Sequence, residues 1–379
     1  MIVLQTYLIY ILLFILMLYL AKRASERNEW GWMLLAILVY SVVFGVRYGV
    51  GVDYFGYLSE YQQAQFAQDS VYDVTEIGFK FVRDKFATNG VHFSIFFGLI
   101  AFVQLWLICK AVKKDKFIYP YLIAAFFLGC VWLSYSNGLR QQLAFCIFAY
   151  SLLFVENKKW IFLHWLLLLL AVTMHNSAVM LFVVAPLLWM RTDWFRNIKI
   201  QYLLLLAAIV IGRYPEVESW LMSIEGNFGL LESFMEETGY EDYFEYEDGD
   251  EIFKKLESVG IGYYLELGIN VLLIWFSGET KKYNSSNKMV SYMYNFAFIG
   301  MLLHYIFISS LLVSRLNYYF YGFVFIFGAY VLHYLYNNNK KMFWVYCLLC
   351  VMTFVGIMYR MDDNTSAFYF FWQSSLYGK

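Results

Sequence analysis

Charge is scarce in this chain and proline scarcer still. Of 379 residues, 15% are Asp, Glu, Lys or Arg, and there are 3 prolines. A soluble domain of this size has a polar surface that so few charges do not supply, so a soluble globular fold is excluded. The formal net charge of −1 leaves no basic excess. That excludes the electrostatic footprint of a nucleic-acid binder. Cysteine is sparse too: Cys109, Cys130, Cys146, Cys347 and Cys350 all lie in apolar runs. Cys347-x-x-Cys350 has helical spacing and no flanking ligands, so it reads as packing rather than as a metal or redox pair. There is no zinc signature, no P-loop, no soluble nucleotide-sugar domain and no usable Ser-His-Asp spacing. No cofactor and no metal are therefore expected, and any donor must arrive in the membrane.

What the chain has is apolar length. It is 61% hydrophobic and 22% aromatic, with a mean hydropathy of +0.55. This composition predicts an all-α, polytopic integral membrane protein. Apolar segments fall at about 4–21, 30–46, 90–109, 117–134, 139–155, 160–174, 177–190, 200–213, 260–277, 289–309, 315–335 and 342–359. They predict about twelve transmembrane helices in a single membrane domain over 1–379. The first run is too long for a signal-peptide core and stops at Lys22-Arg23 without a cleavage site, so it is expected to stay as an anchor. The run 160–190 is split at His175-Asn176, because both of its flanks are basic and two basic flanks on one side require two crossings.

The charges that exist are sorted. Six short loops, 22–29, 110–116, 156–159, 191–199, 278–288 and 336–341, hold 17 of the 28 Lys and Arg. The positive-inside rule puts them on the cytoplasmic side and both termini outside. Two long outer loops follow: 47–89, and the acidic 214–259 with 14 Asp or Glu against Lys254 and Lys255. The acidic loop reads as a solvated external segment that can cover a site. Five arginines break the rule at outer span ends: Arg47, Arg140, Arg213, Arg315 and Arg360. Arginine offers a planar fork that matches phosphate oxygens. Singly, each fits snorkelling or a structural ion pair; together they favour a polyanionic ligand on one face.

Local context refines the set. Arg47 opens the stretch Arg47-Tyr-Gly-Val-Gly-Val-Asp53, and Asp53 can cap a helix whose Tyr54, Tyr57 and Tyr61 share a face. That face suits stacking on sugar rings or an interfacial belt. Arg140-Gln141 begins a helix after the break Ser134-Tyr-Ser-Asn-Gly138, and a helix N-terminus with an arginine makes an anion site. Arg315 repeats this logic ahead of Tyr318-Tyr319. His175, at an outer hairpin tip, fits a general base or a helix cap. His92 and His304 lie toward the outer side; His164 and His333 lie inward and read as structural.

These residues form an ordered set. Arg47-x-Gly-x-Gly-x-Asp53-Tyr54 resembles a signature of the EpsG family of Wzy-type polysaccharide polymerases. Glu76-x-Gly-Phe, Asn137-Gly-Leu-Arg140-Gln141 with Ala144, Met174-His175-Asn176-Ser177-Ala178 and Arg315-x-x-x-Tyr319-Phe320 are similar in the same order. The resemblance implies a GT-C-like membrane glycosyltransferase on the outer face of the cytoplasmic membrane. It would join undecaprenyl-diphosphate-linked repeat units without a nucleotide sugar or metal, alongside membrane lipids and a chain-length regulator protein as partners. On that reading His175, then Asp53 or Glu76, is the base. Arg47, Arg140, Gln141, Arg213, Arg315, Tyr54, Tyr57 and Tyr319 bind substrate. An O-antigen ligase would share these features. A flippase would carry charges through mid-membrane and on both faces, and an O-acyltransferase would need access to cytoplasmic acyl donors.

Overall fold

The computed structural model describes residues 2–66, 76–192, 194–214, 260–308, 311–359 and 367–376. Most of the acidic loop 214–259, together with Arg360, lies outside them. The chain is a polytopic, all-α membrane protein. Its helices are α1 (Ile2–Glu26), α2 (Trp30–Gly45), α3 (Tyr54–Gln65), α4 (Ile77–Thr88) and α5 (Phe93–Ala111). They continue as α6 (Tyr119–Leu128), α7 (Val131–Asn137), α8 (Leu139–Ser151), α9 (Ile161–Met174), α10 (Leu181–Trp189) and α11 (Ile198–Ile211). After the acidic loop come α12 (Ile261–Tyr283), α13 (Met289–Ile306), α14 (Leu311–Asn338) and α15 (Lys340–Tyr359).

Each of the twelve expected apolar segments is helical, yet the helices differ in reach. Among the described residues six are long and apolar enough to span a membrane, or seven if the bent pair α6–α7 is one span; five are shorter apolar helices. The bend is 69°. It falls at Gly129-Cys130, where Cys130 takes φ 52°; the break expected at Ser134–Gly138 is present as well, with α7 ending at Asn137 and α8 starting at Leu139. The split at His175 is as expected. α9 ends at Met174, His175 is extended, and the Trp165 and Phe182 rings stack at 5.8 Å as the chain folds back.

Contacts group the chain into two compact units, 1–183 with 328–379, and 184–327. In the first unit, α2 and α5 cross closely. A Cβ on Gly45 would lie 2.6 Å from the Ser94 carbonyl oxygen, so only glycine permits this approach. One end of this unit gathers basic loops. Lys116 Nζ donates to the Asn28 carbonyl at 2.8 Å, and Lys110 sits 4.2 Å from the Trp30 ring centroid. The other end carries a two-stranded antiparallel ribbon, β1 (Arg47–Tyr48) against β2 (Tyr369–Phe370). Gln5 and Gln373 exchange amide hydrogen bonds of 2.8 and 3.1 Å beneath it, so the start of α1 shares this end. With 19 residues, α5 runs between the two ends; at about 1.5 Å per residue that is close to the apolar thickness of a bilayer.

Candidate active site

The glycine stretch after α2 wraps the break before α8. Gly51 has φ 100°, and a Cβ there would meet Asn137 Cα at 3.2 Å, so the backbone needs glycine for both conformation and space. Asn137 Oδ1 then accepts from the Asp53 amide at 2.9 Å. This contact fixes α3 against the start of α8, which carries Arg140. Helix α4 enters alongside α9 through Gly78, where a Cβ would lie 2.4 Å from Thr173 Oγ1. Glu76, one residue before α4, is thereby set beside the end of α9.

The outcome is a buried three-residue bridge. His175 Nδ1 lies 2.7 Å from Glu76 Oε1, and Arg140 Nη1 donates to Glu76 Oε2 at 2.8 Å. The Glu76 side chain is 6% exposed, His175 9% and Arg140 26%. Burial pushes the Glu76 carboxyl up, but the His175 hydrogen bond and the Arg140 charge outweigh it and hold it below the usual carboxylate range. Glu76 is thus an anion that only accepts, so His175 Nδ1 carries the proton of that bond. In the neutral ring the lone pair is then on Nε2.

Around the bridge, Tyr57 lies under Arg140, whose guanidinium is 5.5 Å from the ring centroid. Burial pushes the Tyr57 hydroxyl up to about 12 against the pull of Arg140. Glu60 continues the charge pattern toward Arg83 at 3.5 Å, and Arg83 also holds Asp84 at 2.7 Å. Burial raises the Glu60 carboxyl despite Arg140 and Arg83. The Glu60–Arg83 pair is missing from the sequence-derived set, because nothing in its spacing marks it.

The other expected residues fall in different settings. Arg47 is 1% exposed and donates to the Ser136 and Phe44 carbonyls. Its guanidinium closes the helix break and lies among Phe44, Tyr54 and Phe97. Tyr54 and Tyr61 point inward, donating to the Arg47 and Val91 carbonyls at 3.0 and 2.7 Å. Of the tyrosine face, Tyr57 is the member at the bridge. Asp53 stands at the N-cap of α3 but makes no side-chain cap, so its carboxylate is not used to start that helix. It is close enough to Tyr57 to raise its hydroxyl. Gln141 is buried.

Arg213, Arg315 and Tyr319 belong to the second unit. Arg213 is exposed, with its charge near Tyr263. Tyr319 is fully buried. That unit also holds a carboxylate outside the sequence-derived set: Glu266, in an apolar helix, pairs with His304 at 3.5 Å. A lone acid six residues into an apolar run is the signal that marks it.

Among the described residues no group of three or more His, Cys, Asp or Glu is arranged to hold a metal. The bridge itself pairs a carboxylate-oriented imidazole with an arginine, a constellation suited to taking a proton from a hydroxyl beside an anionic group. The sequence model of the EpsG family matches residues 30–373. No curated protein and no solved structure matches the chain.

Proposed function

The chain belongs to the EpsG family, which carries a polysaccharide-polymerase-like function, and from this premise we propose that it is a glycosyltransferase acting on lipid-diphosphate-linked oligosaccharides. The substrate is an undecaprenyl-diphosphate-linked repeat unit. A growing chain, held by its diphosphate, is the donor, and a second lipid-linked unit is the acceptor. The observation that carries this reading is the buried Glu76, bridging His175 and Arg140 within 2.8 Å.

In the proposed step, His175 Nε2 takes the proton of an acceptor hydroxyl as the oxygen attacks the anomeric carbon. The bond from that carbon to the lipid diphosphate breaks, and its electron pair leaves with the diphosphate. Glu76 holds the imidazole by Nδ1 and stabilises the imidazolium that forms. Arg140 presents charge to the leaving diphosphate, where negative charge grows in a poorly hydrated site. A positioned base contributes roughly 10²–10⁴-fold. Asp53 and Tyr57 are proposed as acceptor contacts, and Arg47 as the residue that shapes the site.

The sidedness of the charge supports an outer-face reaction. Basic loops occupy the end of the first unit away from the bridge. Under the positive-inside rule the bridge then faces outward across the cytoplasmic membrane. The test is polymer growth in cells: Arg140→Ala and His175→Ala should leave single repeat units on the lipid at normal protein levels. A ligase would instead leave long polymer on the lipid, and wild-type ladders from both variants would sink the proposal.

A further inference from the structure

The segment 367–376 returns to the end of the first unit that holds the bridge. Its strand β2 lies antiparallel to β1, with Phe370 opposite Arg47 and Tyr369 opposite Tyr48. The Phe371 amide extends the ribbon, donating to the Val46 carbonyl at 2.9 Å. A two-stranded ribbon this short is not stable by itself. Side chains from α1 hold it. Thr6 Oγ1 accepts from the Phe368 amide at 2.9 Å, and Gln5 Nε2 donates to the Phe368 carbonyl at 3.1 Å. The side-chain amides of Gln5 and Gln373 each donate to the other, at 2.8 and 3.1 Å. Gln373 Oε1 also accepts from the Phe370 amide at 3.1 Å. Phe368 is fully buried, edge-on to Tyr10, and the Phe371 ring packs on His92 and Phe93 at the start of α5.

The strand it grips is the one from which the candidate site is built. The Arg47 guanidinium donates to the Ser136 carbonyl at 3.0 Å, and the Arg47 carbonyl accepts from the Tyr54 hydroxyl of α3 at 3.0 Å. Four residues on, Gly51 packs against Asn137, and the Asp53 amide donates to the Asn137 side chain at 2.9 Å. Ser136 and Asn137 end α7. Arg140 follows in the first turn of α8, where the Gln142 amide donates to the Gly138 carbonyl at 2.8 Å. A run of hydrogen bonds and close contacts thus leads from Gln5 and Gln373 through β1 to the helix start that carries Arg140, all within one compact unit. Segments near a chain end tolerate change unless they are tied down. This one is tied down, and it holds the backbone on which Arg47 stands.

We propose that Gln5 and Gln373 are positioning residues for Arg140: they clamp 367–376 onto β1, and β1 fixes the helix break that aims the guanidinium at the bridge. What Arg140 does there rests on the polymerase reading above; the coupling from clamp to break does not. The test uses purified full-length chain. Gln373→Ala removes the bonds to Gln5 and to the Phe370 amide, and Gln5→Ala opens the same clamp from α1. Tyr330→Phe is the control for general destabilisation, because it loses a 2.7 Å bond to Asp115 at the basic end of the same unit. Amide hydrogen exchange needs no substrate. In both Ala variants the Gly138 and Gln142 amides, which bond the Ser134 and Gly138 carbonyls at the break, should exchange about tenfold faster, the scale of losing one or two hydrogen bonds. Tyr330→Phe should leave them at the wild-type rate. In polymer synthesis from lipid-linked repeat units, both Ala variants should lose about tenfold in kcat with KM within about threefold, since the loss falls on charge that develops in the transition state. Faster exchange confined to 367–376 would overturn the proposal. So would wild-type kcat in both Ala variants, or a Tyr330→Phe chain that loosens the break as much as they do. If the wild type builds no polymer while the exchange coupling holds, the polymerase reading fails and the clamp stands.

Discussion

His175 and Glu76, 99 positions apart in sequence, meet at 2.7 Å through Nδ1 and Oε1. That contact decides which ring nitrogen is basic. In the proposed mechanism it makes Glu76 the orienting group and His175 the proton acceptor.

Substituting Glu76 by Gln keeps the shape and removes the charge. An amide can accept from only one of the two partners through its oxygen, and it no longer stabilises an imidazolium. We expect kcat to fall roughly 10²-fold or more while lipid-linked substrate still binds, since the loss falls in the transition state. Steady-state kinetics on purified protein check this; a KM effect alone would assign Glu76 to substrate binding.

Arg140→Lys keeps the positive charge and loses the fork. Lysine is a point charge that cannot hold Glu76 and present a second donor in the same plane. Activity should drop nearly as far as in Arg140→Ala. Restoration to within a few-fold of wild type would show that charge alone suffices at this position.

Acid should loosen the bridge in a set direction. The Glu76 carboxyl sits below its ordinary range, so its folded pKa lies beneath its unfolded one. Its contribution to stability is complete above the ordinary carboxylate pKa and is lost as pH falls through the depressed folded value. Thermal melting in detergent should therefore show a wild-type loss at low pH that Glu76→Gln lacks. Parallel pH profiles for the two proteins would contradict the linkage.

The two glycines that set the geometry give a different kind of prediction. A Cβ at Gly78 meets Thr173 Oγ1 at 2.4 Å and Met174 Cε at 2.8 Å. Gly78→Ala should push α4 from α9 and lower kcat, although Gly78 touches no reacting atom. Gly51→Ala is strained by its positive φ. It should cost about 1–2 kcal/mol of stability, read as a lower melting temperature.

The sequence carried the membrane class, the twelve apolar segments and the turn at His175 because hydropathy and flanking charge act locally. It placed Glu76, Arg140 and His175 in the candidate set but could not pair them. Their contact depends on how α4, α8 and α9 pack, and that packing is set by glycines whose neighbours are remote in sequence. Arg47 shows the reverse. An arginine at a span border looks like an anion contact, yet its donors go to the carbonyls of Phe44 and Ser136. Only the position of the bent pair reveals that demand. The break ahead of α8 stands at Gly138, where the turn residues put it. The second bend, at Cys130, falls on a residue with no turn preference that takes the left-handed conformation.

Synthesis of polymer from lipid-linked repeat units by purified protein puts a carboxylate-held base to the test. Wild-type protein should build a ladder of products with no nucleotide sugar present. His175→Ala should leave single units untouched at any pH, and Glu76→Gln should give a faint ladder. A full ladder from His175→Ala would contradict the account.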